Sequence, residues 1–250
     1  MLFRLRSFVA NPKGTYYFGV RPKKTSLIKR TIKYDHKIHL EFLDKQYKAS
    51  FVNLLKFIKK TDHILDVGCY TGGLLFLLKN KGFRKIEGLD SSDYASKIGE
   101  KNYGIKINVG SIFDNLNLGK LDFIILTHVL EHVEHPVEAL EEIRRVLNVD
   151  GTVFVSVPNR LDIFGRLRAF LKGRIYESCT DPTHRRFYTL TGLVRDCIAS
   201  RLRVSKAFGK SFIPLFLPKI ISNQKFYRFL GSLPVLRHFT TGNMVIAQNV

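Results

Sequence analysis

The chain has 250 residues, with 41 Lys and Arg against 21 Asp and Glu and a formal net charge of +20. This length suits one α/β domain with a sizeable core, and a hydrophobic content of 45% argues against global disorder. No apolar run reaches the ~18–20 residues that span a bilayer, and the first residues lack the apolar stretch of a signal peptide. Cys69, Cys179 and Cys197 fit neither a disulfide framework nor a zinc-ligand spacing, so we expect a cytoplasmic protein without a structural metal.

The positive charge is concentrated at the two ends of the chain. Residues 1–60 hold 15 basic and 3 acidic residues, a balance of +12, and residues 158–250 hold 16 and 4, again +12. The middle, residues 61–157, holds 10 and 14, a balance of −4. The basic flanks indicate attraction to an anionic substrate, lipid or nucleic acid, or else a solvated surface.

Hydrophobic periodicity divides the chain into alternating strands and helices after a basic, irregular start at residues 1–33. In chain order we predict helix 40–58, strand His63–Val67, helix Gly73–Lys81, strand Lys85–Leu89, helix Tyr94–Asn102, strand Lys106–Val109, strand Leu121–Thr127, a helix opened by Pro136, strand Thr152–Val157, helices Leu161–Leu171 and Leu190–Ser200, and strands Arg203–Phe208 and Met244–Gln248. Such alternation is typical of a parallel sheet with helices on both faces.

Two sites lie where predicted strands end. Residues 66–73 read Asp-Val-Gly-Cys-Tyr-Thr-Gly-Gly, a turn whose glycines let the backbone approach a ligand. Asp90 ends the next strand 24 residues after Asp66, where a carboxylate can accept both hydroxyls of a ribose or can cap the following helix. Together these sites indicate a ligand that contains adenosine.

The longer motifs resemble those of class I S-adenosylmethionine (SAM)-dependent methyltransferases. ILDVGCYTGGLL resembles the first motif of that family and GLDSS the second, while LDFIILTHVLEHVEHPVEALEEIRRVLNVDGTVFVSVPN resembles its fourth and fifth strands with the intervening helix. The likeness covers about residues 40–205 and is strongest to the branch acting on small molecules and glycans, including ubiquinone-biosynthesis O-methyltransferases. It implies a Rossmann-like, doubly wound α/β sheet of seven strands, mostly parallel, with an antiparallel last strand.

The resemblance also implies where SAM would bind. By position, the loop residues Asp66, Gly68, Cys69, Tyr70 and Gly72 would line the methionine part, and Asp90 with Ser91 would hold the ribose. The remaining contacts implied are Ser111 and Ile112 beside the adenine and Thr127 and His128 near the sulfonium methyl. This chain differs from the family at Tyr70, where glycine is usual, and at Ser111, where an acidic residue is usual.

The candidate catalytic residues are His128, Glu131, His132 and His184, because a hydroxyl acceptor needs a base and histidine titrates near neutral pH. Each has an alternative role. His128 could be only a wall of the cofactor pocket, and Glu131 and His132 could tie the loop to the next helix. Similar residues bind a divalent metal in some quinone O-methyltransferases. His184, in DPTHRRFYT, could face substrate or serve structure.

The resemblance divides the chain into a basic N-terminal segment and lid helix at 1–60 and a methyltransferase domain at 61–250. A basic apolar insert at 212–237 would contact an anionic membrane, an oligomer partner or the core. We expect O-methylation of a small-molecule, glycan or lipid-linked acceptor, and the basic flanks favour an anionic one. The alternatives are an RNA-directed methyltransferase and a non-catalytic scaffold that retains the fold. A dehydrogenase is disfavoured because the glycine spacing is not G-x-G-x-x-G.

Overall fold

The computed structural model describes residues 51, 54–114, 118–171, 183–210, 226, 229–230 and 232–250. The strands are β1 (Ile64–Val67), β2 (Ile86–Asp90), β3 (Ile107–Val109), β4 (Leu121–Thr127), β5 (Leu147–Pro158), β6 (Leu202–Gly209) and β7 (Gly242–Asn249). The helices are α1 (Gly73–Asn80), α2 (Asp93–Tyr103), α3 (Pro136–Val146), α4 (Ile163–Leu171) and α5 (Leu190–Ala199), with 3₁₀ turns at Leu130–His132 and Leu236–Phe239. Most of the predicted segments 1–60 and 212–237 lies outside the described residues, so their roles stay predictions.

The seven strands form one sheet in the order β3-β2-β1-β4-β5-β7-β6. The β1–β2, β1–β4, β2–β3 and β4–β5 pairs are parallel, whereas β7 runs antiparallel to both β5 and β6. The predicted fold class, a mostly parallel sheet with an antiparallel last strand, is therefore confirmed.

Side-chain alternation along the central strands divides the core into two layers. On β4, Ile124 and Leu126 contribute to one hydrophobic cluster and Phe123 and Ile125 to the other. Helix α3 covers the first face and helix α1 the second, each through its own buried stripe. Burial on both faces explains why the β4 sequence is a continuous apolar run rather than an alternating one.

Strand β5 begins at Leu147, five residues earlier than the sequence indicates. The polar residues Asn148 and Asp150 hide this start, and Asp150 adopts a left-handed φ of 61°. The side chain of Asn148 donates to Asp122 at 2.6 Å, which ties the irregular start of β5 to β4. A tertiary hydrogen bond thus extends the strand through residues that have low strand propensity.

The carboxyl ends of β1, β2, β3, β4 and β5 meet at one edge of the sheet, because these strands are parallel and in register. Val67 pairs with Leu89 and Leu126, and Thr127 pairs with Ser156. This edge therefore collects the loops that follow the strands, as ligand sites in open α/β sheets do. Among the described residues, no helix combines the length and the apolarity needed to cross a membrane.

Candidate active site

The loop between β1 and α1 adopts left-handed backbone conformations at alternate residues. The φ angles are 69° at Gly68, 50° at Tyr70 and 75° at Gly72. The N–H groups of Gly68 and Cys69 donate to the carbonyl of Leu89 at 2.7 and 3.3 Å, which ties the loop to the end of β2. Tyr70 thus takes the conformation that glycine adopts most easily.

Asp90 is held in place by two backbone amides. Its Oδ2 accepts the N–H of Tyr70 at 2.7 Å and its Oδ1 accepts the N–H of Ser92 at 2.9 Å. The N-cap of α2 is Ser92, whose hydroxyl accepts from the N–H of Ala95, so the capping alternative for Asp90 is not needed. Each carboxylate oxygen retains a lone pair for a ligand hydroxyl, and the exposed Ser91 lies beside it.

Asp66 lies beneath the same loop, with only 4% of its surface exposed. Burial raises the pKa of its carboxyl well above the usual range, and the nearby charge of Asp90 raises it further. Burial also raises the pKa of the Cys69 thiol, so that residue is a neutral thiol packed in the core rather than a nucleophile.

The turn after β3 contains an acidic residue that the sequence reasoning missed. The N–H of Ser111 donates to the Asp114 carboxylate at 2.6 Å, and the Ser111 hydroxyl accepts the N–H of Phe113 at 3.3 Å. Ile112 is buried in the first core cluster. The family usually carries an acidic residue at position 111, and here Asp114 brings a carboxylate to the same turn. An acidic residue three positions after Ser111 is the sequence feature that could have predicted this.

His128 and Glu131 form a hydrogen-bonded pair at the end of β4. His128 has a left-handed φ of 58°, and its N–H continues the ladder to β5 by donating to the Ser156 carbonyl at 2.8 Å. Because Glu131 Oε1 can only accept when ionised, the His128 Nδ1–H donates to it, at 3.1 Å. This tautomer leaves the lone pair on Nε2.

At the end of β4 and in the turn that follows it, three buried polar atoms have no hydrogen-bond partner within the described part of the chain. They are Thr127 Oγ1, His128 Nε2 and Glu131 Oε2. Buried polar groups are normally paired, so unpaired atoms grouped at the carboxyl end of one strand point to a ligand that completes them.

Glu131, His132 and His184 bring one potential ligand atom each to within 4.8 Å of one another. Two hydrogen bonds join the segments, since the N–H groups of Arg185 and Arg186 donate to the Glu131 carbonyl at 2.8 and 3.1 Å. His132 Nδ1 lies 3.0 Å from the hydroxyl of Thr183 and 3.2 Å from its carbonyl oxygen. In the tautomer that donates Nδ1–H to that carbonyl, the Nε2 lone pair can coordinate a metal ion. Two imidazoles and a carboxylate suit a divalent transition-metal ion. The cluster is therefore a candidate cation site, and the expectation of no metal stays an untested prediction.

Lys210, at the end of β6, is a second residue that the sequence did not indicate. Burial lowers the pKa of its ammonium to about 8, while the negative charge of Glu131 opposes that shift. The two residues are 79 positions apart, so no local pattern in the sequence could predict that they are neighbours.

A pocket at this edge of the sheet is lined by Glu131, Pro158, Asn159, Arg160, His184, Arg186 and Phe187. Of the predicted catalytic set, His128 therefore joins Glu131 directly, and His132 and His184 surround the same carboxylate.

Comparison with known proteins identifies a family. Residues 38–200 match a family described as "Methyltransferase domain". The ubiquinone biosynthesis O-methyltransferase of Rickettsia conorii is 32% identical over 129 residues, which cover 50% of this chain and 42% of that protein. The ribosomal protein L11 methyltransferase of Thermosipho africanus is 27% identical over 124 residues, covering 47% and 46%. The chain thus spans less than half the length of either relative.

Solved structures share the fold. A SAM-dependent methyltransferase from Archaeoglobus fulgidus superposes with a TM-score of 0.61 at 20% identity, covering 87% of this chain and 99% of that one. The residues at the sheet edge also suit the cofactor: a glycine loop that exposes backbone, a carboxylate fixed at the end of β2, and unpaired polar atoms at the end of β4. The family match covers more than half of the chain, and on these grounds the chain belongs to the class I SAM-dependent methyltransferases, enzymes whose cofactor is S-adenosylmethionine.

Proposed function

We propose that this enzyme methylates an oxygen atom of a small-molecule, glycan or lipid-linked acceptor, with His128 as the base that removes the hydroxyl proton. The observation that carries the proposal is the His128–Glu131 pair, in which Nδ1 is bonded to a buried carboxylate and Nε2 is buried without a partner. A carboxylate behind an imidazole fixes its tautomer and stabilises the imidazolium that forms when the ring accepts a proton.

The mechanism divides between the two parts of the sheet edge. When bound, SAM supplies a methyl group that the sulfonium already makes electrophilic. Asp90 and the loop at 66–72 would hold and orient the nucleoside and methionine parts. His128 Nε2 would take the acceptor proton, and Glu131 would balance the resulting positive charge. The chain thus contributes alignment and proton removal.

The relatives support different acceptor atoms. The Rickettsia conorii protein is named for ubiquinone biosynthesis and O-methylation, which agrees with the base that we assign. The Thermosipho africanus protein is named for ribosomal protein L11, so a protein acceptor is the second candidate. Cationic Arg160 and Arg186 at the pocket favour an acceptor that carries negative charge.

Substitution of His128 tests this proposal. We expect His128→Ala to lower turnover by about 100-fold or more while weakening S-adenosylhomocysteine binding far less, because proton removal belongs to the chemical step. The measurement is product formation with a panel of anionic and neutral hydroxyl acceptors, combined with calorimetry. His135→Ala is the matched control, since His135 is an exposed histidine at the start of α3. Equal turnover in the two variants would remove His128 from the mechanism.

Glu131, His132 and His184 would hold a divalent cation in this proposal. When bound, such an ion would lower the pKa of an acceptor hydroxyl and orient the acceptor beside His128. We expect the protein, stripped with chelator, to bind Zn²⁺ or Mn²⁺ by calorimetry, and His184→Ala to weaken that binding by about tenfold or more. His63→Ala, which removes a histidine from the other end of the sheet, is the control. Metal binding that is insensitive to His184 would restrict that residue to a structural role.

A further inference from the structure

Helix α4 carries an exposed apolar stripe. Ile163 is 49% exposed, Leu167 42%, Phe170 78% and Leu171 66%. These positions are spaced by four, three and one residues, so they share one face of the helix. Large exposed apolar side chains grouped on one element mark an interaction surface more often than isolated ones do.

This stripe lies beside the candidate active site. Helix α4 follows the carboxyl end of β5, and the buried Asp162 fixes its start by accepting the N–H of Gly165 at 2.8 Å. Asn159 forms a β-bridge to Tyr188, which brings the 46%-exposed Phe187 next to the approach to α4. Phe187 and Arg160 also line the pocket. We call Ile163, Leu167, Phe170, Leu171 and Phe187 the apolar rim.

Basic residues are frequent in the chain segments that carry the apolar rim. Residues 159–174 contain five basic residues and one acid, a balance of +4, and that acid, Asp162, is 3% exposed. Arg160, Arg166, Arg185 and Arg186 are exposed at this end of the molecule. Aliphatic and phenyl side chains flanked by arginines are the composition of elements that lie in the interface of an anionic membrane.

We propose that the apolar rim docks on an anionic lipid surface, with the pocket mouth facing the membrane. A second copy of the chain would bring the same basic surface against this one, so charge opposes a symmetric dimer here. The N-terminal segment 1–60 is basic too, at +12, which disfavours it as the cover. Nucleic acid would satisfy the arginines, but the aliphatic Ile163, Leu167 and Leu171 cannot stack on bases as aromatic rings do.

The proposal concerns a surface and holds independently of the methyl acceptor. Where it rests on the proposed function, it narrows the acceptor class to molecules that are carried in, or anchored to, an anionic membrane. Vesicle binding is therefore measured without SAM and without acceptor, so that its failure is separate from failure of catalysis.

The experiment is co-sedimentation of the full chain with vesicles of phosphatidylcholine alone and of phosphatidylcholine mixed with phosphatidylglycerol. We expect binding to the anionic vesicles only, weakened about tenfold or more by the double substitution Phe170→Ser and Leu171→Ser. Val149→Ser with Ile198→Ser is the matched control, because both side chains are exposed, at 81% and 60%, and lie near the amino ends of β5 and β6. Thermal unfolding of each variant establishes that the fold is retained.

Several results would overturn the proposal. Failure of the unaltered chain to sediment with anionic vesicles would do so directly. Equal weakening by the control pair, or unchanged binding of the Phe170 and Leu171 variant, would assign vesicle binding to net charge elsewhere. A dimer in solution that the rim substitutions dissociate would identify a second copy as the occupant, and RNA binding lost in the same variant would identify nucleic acid.

Discussion

Gly68 occupies a position that other residues fit poorly, for two separate reasons. Its φ of 69° is costly for any residue with a Cβ, and a Cβ there would collide with the Cγ2 of Val129. Gly119 shows the effect of backbone strain alone. Its φ is 68°, but nothing lies within 4 Å of the position its Cβ would take.

We therefore expect Gly68→Ala to lower the free energy of unfolding by about 2–4 kcal/mol and Gly119→Ala by about 1–2 kcal/mol. Urea denaturation measures both values. Adding Val129→Ala to Gly68→Ala should recover part of the loss, since it removes the collision and leaves the backbone strain. Equal losses at the two glycines would mean that the loop moves away from Val129 at little energetic cost.

His128 shows what a residue-level pattern cannot reveal. Its sequence position after β4 made it a candidate, but its strained φ of 58° and its bond to Glu131 are tertiary facts. A strained backbone conformation of this kind costs about 1–3 kcal/mol, and it persists only where the surrounding contacts hold the backbone in place. Such strain is concentrated at functional sites.

At the scale of elements, the sequence predicted the strands and helices well where burial is simple. Strand β4 was predicted with its observed bounds because both of its faces are buried, which produces an unbroken apolar run. The early start of β5 was missed because it depends on the Asn148–Asp122 contact between strands. The sequence likewise did not predict that Glu131 lies near His184 and Lys210. These residues come from separate parts of the chain, and only the folded structure brings them together.

The ends of β1 and β2 carry a pair of interacting carboxyls, and this pair predicts a pH dependence. The pKa of Asp66 is raised in the folded state, first by burial and then by Asp90, so the folded protein holds this proton to higher pH than the unfolded chain does. Its stabilising contribution is complete below the unfolded pKa of about 4 and is lost as pH rises through the folded pKa.

We expect the unaltered protein to lose stability relative to Asp66→Asn as pH rises above about 4, because asparagine cannot ionise. The measurement is the difference in free energy of unfolding between the two proteins across a pH series. Glu87 and Asp122, whose carboxyl pKa values are lowered, are present in both proteins. Their contributions to the free energy of unfolding therefore cancel when the two proteins are compared. Parallel pH curves would show that Asp66 ionises in the folded state as it does in the unfolded chain.

The whole molecule concentrates its polar and charged chemistry at one edge of a single sheet. The glycine loop, Asp90 and the turn after β3 form one half of that edge, and His128 with Glu131 and its histidine neighbours forms the other. The core that supports them, residues 61–157, has a balance of −4, while the flanks hold the excess positive charge. This separation supports our proposal of an anionic acceptor, which the basic flanks would attract.

The central claim, that this edge binds SAM through Asp90, is tested most directly by calorimetric titration with SAM and S-adenosylhomocysteine. We expect both ligands to bind the unaltered chain, and Asp90→Ala to weaken them by about tenfold or more, since the carboxylate that would accept the ribose hydroxyls is removed. Asp93→Ala should bind normally, because the exposed Asp93 contacts only Lys97 among the charged groups described nearby. Binding by neither ligand, or equal affinity in the Asp90 and Asp93 variants, would contradict the account.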